Sequence, residues 1–116
     1  MSSNVVLFGW NRPIPGREHL SAAHFQDFVA YLAGLQQSGA IGSWENVFLN
    51  AHGGDLNGFF LIRGSGEQIS SLVESDEWLT HMTRAGMHLE QSGAVTGAIG
   101  DLVMERFAMW SSAIPD

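Results

Sequence analysis

The fold is decided by the stretch Val5-Val6-Leu7-Phe8-Gly9-Trp10, which has the pattern of a β-strand with two apolar faces. Side chains alternate along a strand, so Val5 and Leu7 point to one face. The other face carries Val6, Phe8 and Trp10. The other strand candidates in the chain are apolar on both faces as well. A sheet built from such strands must be covered on both sides.

Hydrophobic periodicity predicts the order strand, helix, strand, strand, helix, strand. We expect the strands to be Val5–Trp10, Ser43–Asn50, Phe59–Arg63 and an unusually long last strand, Thr96–Trp110. The first helix is predicted over Leu20–Ser38, followed by Gly39 as its C-terminal cap.

The second helical region is predicted to open at Gly64-Ser65-Gly66, where Ser65 and Gln68 have the spacing of a capping box. Ser75, followed by two acidic residues, is a candidate for a bend or break because it has the features of a new N-cap. We expect this region to close at Gly93.

Composition indicates one folded domain over residues 1–116 and narrows the classes of partner. Twelve acidic residues against five basic ones, all arginines, give a net charge of −7, which disfavours nucleic acid and anionic membranes. The absence of cysteine excludes disulfides and thiolate chemistry. Because the sequence shows neither a leader pattern near Met1 nor a long apolar run, we expect a cytoplasmic protein.

Two β-α-β halves with an antiparallel hairpin between them form a ferredoxin-like α+β arrangement with a four-stranded antiparallel sheet. Two helices cover only one face of that sheet, so we expect the open face to pair with a second copy of the chain. At this point the chain resembles the dimeric α+β-barrel superfamily, through its element order and the segment Ser75-Asp76-Glu77-Trp78-Leu79-Thr80-His81. That superfamily includes antibiotic-biosynthesis monooxygenases, haem-degrading monooxygenases, and muconolactone-isomerase-like and YciI-like proteins.

The resemblance implies haem degradation only if an asparagine, a tryptophan and a histidine match the positions that haem-degrading members use. Asn11, Trp78 and His88 are the residues available, but Asn11 follows the end of its strand. In the register set by Ser75, the tryptophan position falls near Leu72 and the histidine position beside His81. We therefore carry over His81 alone and expect neither a cofactor nor a metal.

A polar stripe is predicted on the second helix, with spacings of 4, 3, 4 and 3 between its members: Glu77, His81, Arg84, His88 and Gln91. One interpretation is a polar wall at a cavity, with a histidine that carries protons. The other, which the usual exposure of polar helix faces favours, is a face in contact with water. His81 and His88 are seven positions apart, which is about 10.5 Å along a straight helix and too far for one metal ion.

Candidate binding residues lie elsewhere in the predicted elements. Arg63 and Arg106 stand in apolar strands, where a charge must pair, reach an edge or line a wet cavity; a cavity arginine would bind a carboxylate or an enolate. His24 lies beside the apolar stripe of the first helix and is a candidate for a partly buried histidine. The tryptophans and Phe48 either line a pocket for a flat ligand or belong to the core and the dimer interface.

These patterns lead to one functional hypothesis and one alternative. The hypothesis is a homodimeric barrel that binds a small organic molecule, with the cofactor-independent oxygenation or isomerisation that the resemblance implies. His81, His24 and Arg63 are its candidate catalytic residues, and the candidate ligand-binding residues are Trp10, Trp44, Phe48, Arg106 and His88. The alternative is a binding, regulatory or structural dimer without catalysis.

Overall fold

The computed structural model describes residues 2–116. Its strands are β1 (Val5–Trp10), β2 (Arg12–Pro13), β3 (Ser43–Phe48), β4 (Gly58–Arg63), β5 (Leu89–Glu90) and β6 (Gly93–Gly97). Its helices are α1 (Glu18–Ser38), α2 (Gly66–Glu74), α3 (Asp76–Gly86) and α4 (Asp101–Ser112). Within residues 2–116, no helix combines the length and the apolar character needed to cross a membrane.

The main sheet is antiparallel and has the strand order β3-β4-β1-β6, while β2 and β5 form a separate short pair. Helices α1, α2 and α3 cover one face of this sheet. Val6 pairs with Ile62 and Phe8 with Phe60, so these four side chains lie together beneath the helices. The helices contribute the rest of the core, in particular Phe28, Leu32, Ile69, Leu72, Trp78 and Ala85.

The opposite side of the main sheet is apolar too, as the sequence predicted. The strand register places six apolar side chains on it, and we call this surface the open sheet face: Val5, Leu7, Val47, Phe59, Leu61 and Val95. In the part of the chain that the structure describes, the α1–α3 layer lies on the other side of the sheet. The helix layer of a single chain therefore covers one face of the sheet, while on the open sheet face Val5 is the one apolar side chain that is buried.

Local signals place the helix ends where the sequence predicted them. Gly39 ends α1 in the left-handed conformation, with a φ of 82° that a residue without Cβ adopts readily. Ser65 and Gln68 form the predicted capping box of α2. The predicted break falls at Ser75, which ends α2 and whose hydroxyl accepts a hydrogen bond from the Trp78 amide to begin α3.

The predicted last strand, Thr96–Trp110, is wrong. The strand there is β6, Gly93–Gly97, and the residues that follow Gly100 form the helix α4. Gly93 begins that strand and does not close a helix, because α3 already ends at Gly86. In residues 102–110 the apolar side chains fit the spacing of a strand as well as that of a helix, so the pattern does not decide between the two. Gly100, at a φ of 61°, turns the chain out of the sheet before the helix starts.

Candidate functional site

A cavity of about 610 Å³ lies between α1 and the helix-covered face of the sheet, near the end of β1. Aromatic side chains form most of its wall: Phe8, Trp10, Phe25, Phe28, Phe48 and Phe60. Gly58 allows the Trp10 indole to lie flat on β4, since a Cβ at Gly58 would stand 2.7 Å from Trp10 Cζ2. The wall suits a flat apolar molecule, because aromatic faces pack well against planar rings.

Polar groups line one edge of the cavity and are held by hydrogen bonds. Asn57 Nδ2 donates to Asn11 Oδ1 at 2.7 Å, and Asn11 Nδ2 donates to Gln91 Oε1 at 2.6 Å. Arg12 pairs with Glu90 at 2.7 Å, which joins β2 to β5 beside the same edge. These bonds fix the donors and acceptors at the mouth before any ligand arrives.

Three histidines and a serine form a continuous chain of hydrogen bonds next to the cavity, which we call the histidine chain. Ser21 Oγ lies 2.7 Å from His88 Nδ1. His88 Nε2 lies 2.8 Å from His24 Nδ1, and His24 Nε2 lies 3.0 Å from His81 Nδ1. Ser21 and His24 line the cavity, while His81, at the other end, is partly exposed.

Three elements bring the histidine chain together. Helix α1 supplies Ser21 and His24, whose spacing of three residues places them on the same side of the helix. Helix α3 supplies His81, and His88 follows the end of α3. The main-chain carbonyl of His88 accepts a hydrogen bond of 2.8 Å from the Ile14 amide, which holds this turn against the segment before α1.

Burial keeps the histidine chain uncharged. His24 and His88 are each only 3% exposed. Burial, and after it the positive charge of Arg84, lower the pKa of His24 to about 4. Burial and Arg84 also lower the pKa values of His81 and His88, in that order of importance. Asp27, which pairs with Arg84 at 2.8 Å, opposes these shifts at His24 and His81.

The histidine chain is not arranged to hold a metal ion. His24 stands between the other two rings and uses one nitrogen toward each, so the three histidines do not direct nitrogens at one point. A zinc ion needs its ligand nitrogens about 2.0–2.1 Å from one common centre. Among residues 2–116, no group of three or more histidine or acidic side chains is placed to bind a metal.

Some of the sequence-predicted site residues meet at the cavity and others do not. Trp10, Phe48 and His24 line it, and His81 and His88 reach it through the histidine chain. Trp44 lies instead in the aromatic core, with its ring centroid 6.1 Å from that of Phe60.

The two arginines predicted near a ligand lie away from the cavity. Arg63 is on the side of the sheet that carries the open sheet face and pairs with Glu45 at 3.4 Å. Arg106 is on α4, not on a strand, where its guanidinium donates a hydrogen bond of 2.7 Å to the Ser2 carbonyl. The expectation that both stand within apolar strands is thus wrong for Arg106.

The predicted polar stripe is interrupted because α3 ends before His88 and Gln91. The favoured interpretation of a solvated face is wrong for His88, which turns inward and is buried. Sequence reasoning also missed Ser21, the end of the histidine chain that lines the cavity. The three-residue spacing between Ser21 and His24 was a signal for it, because residues so spaced share one side of a helix.

Models of protein families and curated proteins give no match to the chain. A similar solved structure is a dimeric protein of unknown function and ferredoxin-like fold from Bacteroides fragilis NCTC 9343. The two chains superpose with a TM-score of 0.55 at 10% sequence identity, over 79% of this chain and 92% of that one. At this level of identity the likeness concerns the fold. The chain thus has the ferredoxin-like α+β fold that its element order predicted.

Proposed function

We propose that the protein binds a small aromatic molecule carrying a hydroxyl or keto group in the cavity and moves a proton to or from it through the histidine chain. The observation that supports this most is that the histidine chain begins at the cavity wall and ends at a partly exposed histidine. Such a protein would act as a cofactor-independent isomerase or monooxygenase of the dimeric α+β-barrel type.

Binding would follow from the division of the cavity into an apolar wall and a polar edge. The aromatic wall would hold the ring of the ligand, as Trp10 and Phe48 present large apolar surfaces there. The oxygen of the ligand would point toward Ser21 and the Asn11–Asn57 pair, which offer hydroxyl and amide groups. A ligand oxygen placed against the aromatic wall would lose its hydrogen bonds with water and gain none.

Proton transfer would proceed without placing a charge in the interior. In the starting tautomers each histidine carries its proton on Nε2, so that Ser21 donates to His88 and each ring donates to the next. When a substrate proton reaches Ser21 Oγ, the hydroxyl proton of Ser21 passes to His88 Nδ1. The Nε2 proton of His88 then passes to His24 Nδ1, and that of His24 passes to His81 Nδ1. The Nε2 proton of His81 leaves, and all three rings remain neutral.

This neutral transfer agrees with the electrostatics of the site. A protonated imidazole at His24 is disfavoured by burial and by Arg84, as its pKa of about 4 indicates. A base that had to hold a full charge at that position would be weak at neutral pH. Rings that accept a proton on one nitrogen while they release a proton from the other never carry a full charge, so they avoid the cost of a buried imidazolium.

The reaction class follows from proton transfer at a carbon next to a carbonyl. Loss of that proton gives an enolate, whose oxygen would face the amide of Asn11. Asn57 Nδ2 donates to Asn11 Oδ1 and to the Gly54 carbonyl, and would thereby hold the Asn11 amide in position. Return of a proton to another carbon completes an isomerisation, and reaction of the enolate with molecular oxygen would be an oxygenation. Without turnover, the same cavity would serve the alternative, a non-catalytic binding dimer.

Assembly is the second part of the proposal. The open sheet face carries large apolar side chains, and the helix layer of the described chain lies on the other side of the sheet. Pairing of this face with a second copy would cover it, and the similar protein from Bacteroides fragilis is described as dimeric. A cytoplasmic location and the absence of nucleic-acid and membrane partners are likewise parts of the proposal, from charge and composition.

Binding can be tested with 2-naphthol, a flat aromatic alcohol, by titration calorimetry. Ala22→Phe would place a ring in the cavity, because Ala22 lies in its wall. The matched control is Ala23→Phe, one residue further along α1, where the side chain is also exposed and does not line the cavity. We expect at least tenfold weaker binding in Ala22→Phe and unchanged binding in Ala23→Phe. Equal affinities in the two variants would exclude this cavity as the binding site.

Proton transfer can be tested with 2-tetralone, an aromatic ketone, by following deuterium uptake from heavy water by proton NMR. We expect the protein to accelerate exchange next to the carbonyl, and Ser21→Ala and His24→Gln each to remove most of that acceleration. His19→Gln, an exposed histidine on the same helix, is the control. Binding of 2-naphthol combined with no acceleration of exchange would support the non-catalytic alternative.

A further inference from the structure

Helix α4 has an apolar surface that its own chain leaves uncovered. Three large side chains on it and one just after its end recur at spacings of 4, 3 and 4, and we call them the α4 stripe: Val103, Phe107, Trp110 and Ile114. Each of them is 45% to 62% exposed, and none of the α4 residues that the structure describes is buried. Phe107 and Trp110 lie side by side, with ring centroids 5.7 Å apart.

Contacts near the start of α4 hold it in this outward position. Asn4 makes two hydrogen bonds with the main chain of Ile99, of 2.8 and 3.0 Å, just before the helix begins. Further along, Arg106 donates to the Ser2 carbonyl at 2.7 Å and to Ser3 Oγ at 3.3 Å. These bonds tie one side of α4 to the segment before β1. Arg106 lies three residues from Val103 and four from Trp110, so these bonds hold α4 along one edge of the α4 stripe. The four side chains of the α4 stripe stay exposed in this position.

The shape of the chain agrees with a projecting helix. Its radius of gyration is 15.8 Å, whereas a compact chain of this length has about 13 Å. The longest dimension is 54 Å and the shortest is 22 Å. An exposed apolar helix on a monomer would be a liability for solubility, so a surface of this kind indicates a partner.

We propose that α4 of one protomer packs across the open sheet face of a second copy of the chain, with the α4 stripe against Leu61 and its neighbours. The proposal rests on the homodimer proposed above and adds which segment crosses to the partner. Both surfaces are apolar: the α4 stripe and Val95 are exposed, and the other large side chains near Leu61 on the open sheet face are only partly buried. Two-fold symmetry would cover both surfaces in both copies by the same contact. A helix on the second face would complete the covering that a sheet with two apolar faces requires.

Disulfide cross-linking tests this arrangement cleanly, because the natural chain has no cysteine. The test variant of the full chain carries Leu61→Cys and Phe107→Cys. The matched control carries Leu61→Cys and Glu105→Cys, since Glu105 is on the side of α4 opposite the stripe. The single variants Leu61→Cys and Phe107→Cys show whether a disulfide forms between the same position in two copies, which would also give a covalent dimer. None of these three positions belongs to the buried core, so the variants should fold.

After mild oxidation, we expect the test variant to run as a covalent dimer on a non-reducing gel, and the control and the single variants to remain mostly uncrosslinked. A disulfide within one chain, seen as a monomer without free thiols, would overturn the proposal, because α4 would then cover its own sheet. Absence of any disulfide, or a dimer formed equally by Leu61→Cys alone, would overturn it too.

Sedimentation of the unmodified chain and of Phe107→Glu separates this proposal from that of the dimer. We expect Phe107→Glu to raise the dimer dissociation constant at least tenfold, and Glu105→Lys to leave it within threefold. A stable dimer that is insensitive to Phe107→Glu and lacks the disulfide would overturn the exchange of α4 while the dimer stands. A monomer at all concentrations would overturn both.

Discussion

Replacement of His24 should flatten the dependence of stability on pH. The folded chain keeps the pKa of His24 at about 4, whereas the ordinary value is 6.5. As the pH falls below 6.5, the unfolded chain therefore takes up a proton that the folded chain refuses, so the free energy of unfolding decreases. Stability is fully present above 6.5 and is lost progressively as the pH falls toward about 4. The lowered pKa values of His81 and His88 act in the same direction.

The expected magnitude follows from the two pKa values. Each pH unit between them is worth about 1.4 kcal/mol, so the full effect of His24 is about 3 kcal/mol. Between pH 7.5 and pH 5, before most carboxylates titrate, His24 alone should lower the free energy of unfolding by about 2 kcal/mol. His24 is only 3% exposed, so screening by solvent reduces this effect little.

Urea denaturation followed by tryptophan fluorescence measures this free energy at each pH. His24→Gln should be less stable than the natural chain at pH 7.5, because it disrupts two hydrogen bonds worth about 1 kcal/mol each. Its stability should then decrease less between pH 7.5 and pH 5. His19→Gln, an exposed histidine on the same helix, should keep the slope of the natural chain. A natural chain that loses less than about 0.5 kcal/mol, or equal slopes in His24→Gln and the natural chain, would refute this reasoning.

Five further substitutions test the packing. Ile62→Ala, at a fully buried position, should lower the free energy of unfolding by about 3 kcal/mol in urea, whereas the exposed Leu79→Ala should change it by less than about 0.5 kcal/mol. Gly34→Ala, inside α1 with open space around it, should stabilise by about 0.5–1 kcal/mol, and Gly39→Ala, at a φ of 82°, should destabilise by about 1 kcal/mol. Gly58→Ala should displace the Trp10 indole, alter the near-ultraviolet circular dichroism and weaken binding of 2-naphthol; unchanged spectra and affinity would contradict the wall position of Trp10.

The main sheet and its helices could be predicted because their signals are local. Alternation in Val5–Trp10 and Phe59–Arg63 gives strands, and the features of Ser65 and Ser75 as N-caps give the starts of two helices. The prediction for the segment after Gly97 was wrong for a local reason as well. Val103, Phe107 and Trp110 fit a helix face while residues 102–110 also alternate, so periodicity does not decide between the two structures there.

The candidate site could be predicted only in part, because its geometry depends on how distant segments pack. His24 is separated from His81 by 57 residues and from His88 by 64, and local spacing does not show that their rings meet. The residue types were recognisable as proton carriers, but the end of α3 at Gly86 is what turns His88 inward. Arg63 and Arg106 were predicted as binding residues because each interrupts an apolar run. That signal does not distinguish a ligand site from other contacts: Arg63 forms an ion pair on the sheet, and Arg106 donates a hydrogen bond from α4 to the segment before β1.

Under the proposed function, helix α1 would connect ligand binding to the hydrogen bonds of the histidine chain. The same helix supplies Phe25 and Phe28 to the cavity wall and Ser21 and His24 to the histidine chain, so a ligand that packs on the wall also bears on the spacing of the hydrogen bonds. Proton transfer along such bonds depends on donor–acceptor distances near 2.8 Å, and Ser21 to His88 already lies at 2.7 Å. A bound ligand that excludes water from the edge near Ser21 would leave the serine hydroxyl as its nearest proton acceptor. Binding would then select the direction in which the hydrogen bonds of the histidine chain donate. That direction can reverse at little electrostatic cost, because every ring stays neutral in both directions.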